Sequence, residues 1–488
     1  MLFVGDGMTL RQYIESFIEN QGISMGVFAN ELGYKSVNTL YRLMDSKVRP
    51  SSLRQFESRM KDAYELGAEE RQALSRVLKN KEFGEEKTAI YQAVAEMIEK
   101  FQSPAFLNRS NDNNSGEHSL LMQYKECSNI KVTLFNCLDP RVIDQIIELM
   151  EQTDATVEHY MNRVLRMDML IRGMGFLARI LNHPRYYLYA SPVSAGGYGA
   201  ETQEAIGLSG VSKGDIALCS FTDRNGVKQK EMLVFDDDRM KIYPAIDIPL
   251  VHAQYIPVVQ KKTSNDTIDD YLAFMQECAK LDANHASYML KADFSIGLVS
   301  GDLLRRPFEE GAIAQILGAD GALDKLLQLF NDRCNNNFNK KKHTFCVLAR
   351  SAIRRFIHTG KMSDHFWALR SFTPEERLKI LHGILDNLRK NKYLHYFFLR
   401  EEECIGSKEI DLYEGKGLLI QNASTDYRLV GSHSEIMITH PAVMECFRDY
   451  FLLELIPTRC YRESDSMRIF ASLVNECELM VAGNARQP

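Results

Sequence analysis

Residues 35–61 of this 488-residue chain are rich in basic side chains. Their positive charge would attract phosphate groups. Residues 35–61 contain seven basic and two acidic side chains, a net charge of +5. Residues 1–34 contain one basic and four acidic side chains, a net charge of −3, and the whole chain has a formal charge of −6. A local basic face on an acidic protein favours specific docking with weak non-specific attraction. A solvated helix face without a partner is the alternative.

The apolar residues around this segment predict two short helices that cross over a tight turn. Phe28 and Leu32 share one helical face by their i, i+4 spacing. Gly33 supplies the positive φ that ends a helix and turns the chain. Leu40 and Leu43 then repeat the helical spacing and can pack back on the first pair. This plan is that of a helix-turn-helix.

The order of residues in this stretch resembles the lambda-repressor-like (Cro or XRE type) DNA-binding domain. It reads Phe-Ala-x-x-Leu-Gly from Phe28, Leu-x-x-Leu from Leu40 and Lys-x-Arg-Pro-Ser from Lys47. The resemblance covers about the first 65 residues and implies a five-helix bundle. In that family the third helix enters the major groove of DNA, and its early residues read base edges. A helix capped by Ser36 is expected to take that place here.

The resemblance places ten residues of this chain at the DNA. They are Lys35, Ser36, Val37, Asn38, Thr39, Tyr41, Arg42, Lys47, Arg49 and Arg54. Asn38 can bond adenine in bidentate fashion and Arg42 can bond guanine, each with about 1–3 kcal/mol of discrimination. Lys35 and the three cations of residues 47–54 would position the duplex by phosphate contact. Leu40 and Leu43 are expected to face inward.

Local signals along the chain predict where its domains begin and end. Thr9 and Gln12 form a capping box at the start of a first helix. Residues 85–101 form an amphipathic helix that either connects domains or packs on the bundle, and residues 103–118 have the Asn, Ser and Gly content of a linker. The predicted domains are 1–80 (helix-turn-helix domain), 81–118 (connecting helix and linker), 119–285 (first α/β half) and 286–488 (second α/β half).

The sequence after the linker predicts an α/β region whose order of elements occurs twice. A strand, a helix, a long helix, a strand and a β-meander follow one another near residues 131–260 and again near 343–455. In the first half the long helix is placed at Met161–Leu181. The predicted fold is therefore multidomain, with an all-α N-terminal helix-turn-helix bundle and a large α/β (α+β) region interpreted as a duplicated α/β unit.

Motifs of catalytic and metal-binding sites are absent from the sequence. It contains no phosphate-binding P-loop, no serine-hydrolase elbow and no zinc-protease motif. The ten cysteines are scattered without a CxxC pair, and the twelve histidines show no metal-ligand spacing on a helix face. Segments that could bind a ligand, with a loop or surface role as the favoured alternative, are Gly196–Gly199, Asp236–Asp238, Lys340–Lys342, Arg305–Arg306 and Arg354–Arg355. We predict no catalytic residue, no metal and no cofactor.

These features together predict a cytoplasmic transcriptional regulator. No apolar run is long enough to span a membrane, the N-terminus lacks the pattern of a signal peptide, and the cysteine pattern fits reduced thiols. The expected partners are double-stranded DNA, a second copy in a homodimer, and a small-molecule or peptide effector sensed by the α/β region. Two alternatives remain: the helix-turn-helix binds protein, or it delivers an enzyme that acts on a nucleotide or nucleic acid.

Overall fold

The computed structural model divides the chain into two compact units, Met1–Ala93 and Val94–Pro488. The residues it describes are 8–102, 120–135, 137–161, 167–181, 183, 185–190, 215–236, 239–244, 256–260, 268–291, 294, 296–311, 321–362, 369–400, 408–422 and 434–484. The predicted linker, Gly196–Gly199 and Asp237–Asp238 lie outside these residues, and the predicted domain limits stay predictions. Within the described residues, no helix has both the length and the apolar character needed to cross a membrane.

The N-terminal region is all-helical, as predicted. Its helices are α1 (Leu10–Gln21), α2 (Met25–Glu31), α3 (Val37–Asp45), α4 (Pro50–Ala63), α5 (Ala68–Phe83) and α6 (Glu85–Gln102). The predicted capping box of Thr9 and Gln12 is present, and the hydroxyls of Ser24 and Ser36 accept hydrogen bonds at the starts of α2 and α3. Helices α1 to α5 enclose one apolar core, and its largest side chains, among them Phe28, are fully buried.

The first mixed sheet follows, with strand order β6-β5-β4-β1-β2-β3-β7. Its strands are β1 (Ser128–Phe135), β2 (Thr156–Met161), β3 (Tyr186–Ala190), β4 (Asp215–Thr222), β5 (Lys228–Asp236), β6 (Arg239–Pro244) and β7 (Ile256–Pro257). The helices between the parallel strands are α7 (Pro140–Gln152), α8 (Met167–Phe176) and α9 (Ala178–Leu181). Strands β1, β2 and β3 are parallel, and β4 begins an antiparallel meander on the other side of β1.

The second mixed sheet has strand order β11-β10-β9-β12-β13-β14-β8. Its strands are β8 (Val259–Gln260), β9 (Ser287–Lys291), β10 (Thr344–Leu348), β11 (Leu394–Phe398), β12 (Lys408–Tyr413), β13 (Gly417–Asn422) and β14 (Ser434–Ile438). The helices of this half are α10 (Ile268–Asn284), α11 (Gly301–Glu309), α12 (Ala322–Asn339), α13 (Arg350–Thr359), α14 (Pro374–Lys390), α15 (Pro441–Asp449), a π-helical stretch at Tyr450–Arg459, and α16 (Glu463–Asn484). Helices α10 to α14 and α16 contribute to one buried core with this sheet.

The two sheets share one architecture. In each, three parallel strands come first, and a three-stranded antiparallel meander then pairs with the first of them. One short extended segment, residues 256–260, belongs to both: its first part pairs with β3 and its second part with β14. The Val258 amide donates to the Leu188 carbonyl at 2.9 Å, and the Val258 carbonyl accepts from the Thr439 amide at 3.0 Å. The segment therefore joins the sheets edge to edge.

Two of the predicted elements are wrong. The long helix placed at Met161–Leu181 is not continuous, because Met161 ends β2 and the described residues 167–181 form two shorter helices, α8 and α9. The repeated set of elements in the second half does not begin near residue 343, because β9 (Ser287–Lys291) precedes β10 in the parallel set. All five residues of β9 are buried, including Ser287 and Lys291, so the strand has no alternation of apolar and polar side chains that a sequence pattern could reveal.

Candidate nucleic-acid interface

The turn between α2 and α3 is fixed by a glycine and by an arginine from α4. Gly33 has a φ of +67°, in the left-handed region, and its N–H donates to the Asn30 carbonyl at 2.9 Å. The Arg59 guanidinium donates to the carbonyl oxygens of Leu32 at 2.9 Å and Gly33 at 3.2 Å. It also lies 4.6 Å from the centre of the Tyr34 ring. Because a helix end leaves its last carbonyls without intrahelical partners, Arg59 holds the C-terminus of α2 in place.

Helix α3 has a buried side and an exposed side. Leu40 and Leu43 are 0 % and 5 % exposed, as predicted for inward-facing residues. The predicted contacts on the exposed side are Ser36, Asn38, Thr39, Tyr41 and Arg42. Val37 is half-buried and packs against the core of the helical bundle, so its side chain is partly withdrawn from this surface. The exposed side of α3 thus offers hydroxyl, amide, phenol and guanidinium groups to a partner.

Four cations predicted to contact phosphate have no acidic partner among the described residues. They are Lys35 before α3, Lys47 and Arg49 between α3 and α4, and Arg54 in α4. All four side chains are exposed. Lys61, in the same basic segment, differs because it pairs with Glu57 at 2.9 Å. These four side chains are therefore available to an anionic partner, as is Arg42 on α3.

Arg11 of α1 also lies at this surface, where the sequence did not place it. Its Nε donates to Asp45 Oδ1 at 2.9 Å, and this hydrogen bond lowers the pKa of Asp45. The Arg11 guanidinium carbon lies 5.4 Å from the centre of the Tyr41 ring. Lys81 of α5 donates to the Met44 carbonyl at 2.8 Å, so two cations hold the C-terminal end of α3. The partners are 34 and 37 residues apart, which no local spacing reveals.

The second sheet carries a buried cluster of charges. Lys291 Nζ donates to Glu409 at 2.7 Å and to Asp411 at 2.8 Å, and all three side chains are at most 9 % exposed. Burial acts to lower the pKa of Lys291, but the two carboxylates outweigh it and raise that pKa above its ordinary value. Lys291 and Arg333 border a cavity of about 10 Å³, which has room for about one water molecule. The cluster is therefore a structural ion pair network and offers no room for an organic effector.

Lys340 belongs to the interior, which corrects the prediction that residues 340–342 form a solvated loop. Its Nζ donates to Ser287 Oγ at 3.0 Å and to the His285 carbonyl at 3.3 Å. Burial lowers the pKa of Lys340 to about 8. Only Lys341 and Lys342 are exposed as expected.

The paired arginines that could have bound an anion are engaged within the chain. Arg305 pairs with Asp324 at 3.0 Å. Arg306 makes two hydrogen bonds to Glu376, at 2.6 and 2.8 Å. Arg354 pairs with Glu476 at 3.4 Å. These contacts favour the alternative of structural ion pairs.

A metal site with three or more protein ligands does not occur among the described residues. No set of three or more His, Cys, Asp or Glu residues is placed there to hold a metal ion, and the described cysteines are free thiols. On α3 and the segment after it, the described residues place exposed amide, phenol and guanidinium groups beside four cations without an acidic partner. Comparison with known proteins adds nothing to this, since neither a protein-family model nor a curated protein matches the sequence.

Proposed function

We propose that this chain is a sequence-specific DNA-binding transcriptional regulator. The observation that carries the proposal is the exposed side of α3, where Asn38 and Arg42 face solvent while Leu40 and Leu43 lie in the core. Amide and guanidinium groups on an exposed helix can reach base edges in the major groove, where the donor and acceptor pattern identifies each base pair. The helix itself is held by its neighbours, so these groups are presented on a fixed scaffold.

The unpaired cations around α3 support a duplex as the partner. A side chain that already has an acidic partner must lose it before it binds phosphate, whereas Lys47, Arg49 and Arg54 have no such partner in the ranges that the structure describes. Contacts of this kind position a protein on the duplex without reading its sequence. They also make the affinity fall as the salt concentration rises, because each contact releases condensed counterions.

The regulator binds as a homodimer to a pseudo-palindromic site, since one small domain buries too little DNA surface for tight specific binding. The α/β region holds the dimer and senses a small-molecule or peptide effector, and the chain acts by binding without catalysis. This role places the protein in the cytoplasm, together with the DNA that it regulates. The effector site is a different place from the cavity beside Lys291, which has room for only about one water molecule.

Replacing Lys47 with alanine is expected to weaken binding to every duplex alike. One phosphate contact is lost, so the slope of log affinity against log salt falls by about one unit. The measurement is fluorescence anisotropy of the full-length protein with labelled duplex fragments at several salt concentrations.

Lys61→Ala is the matched control for this test. Lys61 lies in the same basic segment but pairs with Glu57, so its loss leaves the affinity and the salt slope nearly unchanged. Equal losses for both variants would show that only the general charge of the segment matters, and an unchanged slope for Lys47→Ala would contradict the phosphate contact.

A helix-turn-helix that binds protein is the second candidate. Val27 of α2 is 46 % exposed and Tyr41 of α3 is 38 % exposed, and exposed apolar and aromatic side chains favour a protein partner. The same titration separates the two, because a protein-binding module has no salt-dependent affinity for any duplex.

A further inference from the structure

Two histidines that are 52 residues apart in the sequence face each other beside β10 and β11. Nδ1 of His343, which directly precedes β10, lies 2.9 Å from Nε2 of His395 in β11. On the other side of the His395 ring, Nδ1 lies 2.7 Å from Oε1 of Glu463, the first residue of α16. A carboxylate accepts but does not donate, so His395 donates from Nδ1 to Glu463. The lone pair on Nε2 of His395 therefore points at His343.

Aromatic packing holds both imidazole rings in this arrangement. The Phe345 ring stacks on His395 with 4.7 Å between centres and 13° between planes. Tyr393 meets His343 edge to face at 5.2 Å. His343 is exposed and the His395 side chain is 17 % exposed, so a solute can reach the pair. The site is thus preorganised and open to solvent.

The arrangement has the chemistry of a metal-binding pair. Histidine ligands of metals usually donate their other ring N–H to a carboxylate, which fixes the ring and makes the ligating nitrogen more basic. Glu463 is such a carboxylate, because it accepts the hydrogen bond from Nδ1 of His395. His343 is exposed, so its neutral ring can carry the proton on Nε2, and the Nε2–H then donates a hydrogen bond to water. In that tautomer Nδ1 presents a second lone pair to a metal ion. Two nitrogens bound to tetrahedral zinc, with Zn–N bonds of about 2.0–2.1 Å, lie only a few tenths of an ångström farther apart than 2.9 Å, the distance between Nδ1 of His343 and Nε2 of His395.

We propose that His343 and His395 bind a divalent transition-metal ion, with Glu463 as the residue that orients His395. Two imidazole nitrogens suit zinc, nickel or copper rather than magnesium or calcium, which prefer oxygen ligands. Water completes the coordination, because the described residues place no third ligand at the pair. The proposal is independent of DNA binding, since all three residues belong to the second half of the α/β region.

The test is isothermal titration of the full-length, chelator-treated protein with zinc chloride and with nickel chloride. The wild type is expected to bind one ion per chain with saturation. His343→Ala and His395→Ala are each expected to abolish this event. Glu463→Gln is expected to weaken it about 10–100-fold, which is the usual effect of losing a carboxylate behind a histidine ligand. Circular dichroism without metal checks that each variant keeps its fold.

His382→Ala is the matched control. His382 is an exposed histidine that also pairs with a glutamate, Glu478 at 2.9 Å, but within the described part of the chain no second imidazole contacts it. Its substitution is expected to leave metal binding unchanged. The proposal is overturned if the wild type shows no saturable binding, if the ion still binds after His343→Ala, or if His382→Ala weakens binding as much as His343→Ala. Those results would leave His343 and His395 as a hydrogen-bonded pair only.

Discussion

Replacing Lys291 with methionine is expected to lower the free energy of unfolding of the α/β unit by about 3–5 kcal/mol. Lys291 lies between Glu409 and Asp411, and the three side chains are almost completely buried. Without the ammonium group, the two buried carboxylates lose the only cation that hydrogen-bonds to both of them in the described residues, and Lys340 interacts with Asp411 alone of the two. The cost of such a change comes mainly from the buried charges left behind, since methionine fills nearly the same volume as lysine. Urea unfolding, followed by circular dichroism, measures the difference.

Two further variants show whether charge is the cause. Lys416→Met, in the exposed turn between β12 and β13, changes the same residue type at the surface and is expected to shift stability by no more than about 0.5 kcal/mol. Adding Glu409→Gln and Asp411→Asn to Lys291→Met removes the uncompensated charges and is expected to recover part of the loss. A triple variant less stable than Lys291→Met alone would argue against the electrostatic explanation.

Gly360→Ala is expected to destabilise the same unit by about 2–4 kcal/mol. Gly360 ends α13 with a φ of +65°, where an L side chain is strained. An added Cβ would also collide with the Phe372 carbonyl and lie 2.6 Å from Arg377 Nε. Arg377 cannot easily move, because it donates to the carbonyls of Phe372 at 2.8 Å and Ile357 at 2.7 Å. Denaturant unfolding again supplies the measurement.

Gly415→Ala separates backbone strain from crowding. Gly415 has a similar φ of +72°, but an added Cβ would have no neighbour within 4 Å. Its substitution is therefore expected to cost only the conformational strain, about 1–2 kcal/mol. Equal effects at the two positions would mean that the close contacts around Gly360 relax freely.

The N-terminal helices could be predicted from the sequence because their signals are local. The Thr9 hydroxyl bonds the amide three residues on, and the Ser36 hydroxyl bonds the amide two residues on. Gly33 adopts the left-handed conformation that its position in the turn predicts. The burial of Leu40 and Leu43 follows from helical spacing alone. The start of α3 and its buried side could therefore be predicted from the sequence.

The strands were harder to predict because burial on both faces removes the alternation that identifies a strand. Strand β9 is such a case, since all five of its residues are buried. Strand β2 differs: Thr156 and Glu158 are partly exposed, and His159 on the other face is fully buried and lies 2.7 Å from the Tyr186 hydroxyl of β3. Because His159 is a polar residue on the buried face of β2, the face that also carries Val157 and Met161, polarity along the sequence does not reveal that face. The order of the remaining elements was still sufficient to predict two similar halves.

The side-chain pairs that define the other sites join distant parts of the chain. Lys291 and Glu409 are 118 residues apart, and Arg11 and Asp45 are 34 apart. Each pair forms only when particular strands or helices pack side by side. The spacing of residues along the sequence does not reveal which elements do so. For the same reason the pair of His343 and His395 could not be recognised among twelve scattered histidines.

Selection from a pool of random DNA duplexes with the full-length protein tests the proposed function most directly. The wild type is expected to enrich a two-fold symmetric motif whose half-sites lie about one helical turn apart, roughly 34–36 Å. Arg42→Ala is expected to enrich the same motif with the preference relaxed at one base pair in each half-site, by about 1–3 kcal/mol. If the wild type enriches no motif, or if Arg42→Ala enriches an identical one, α3 does not read DNA in the way proposed.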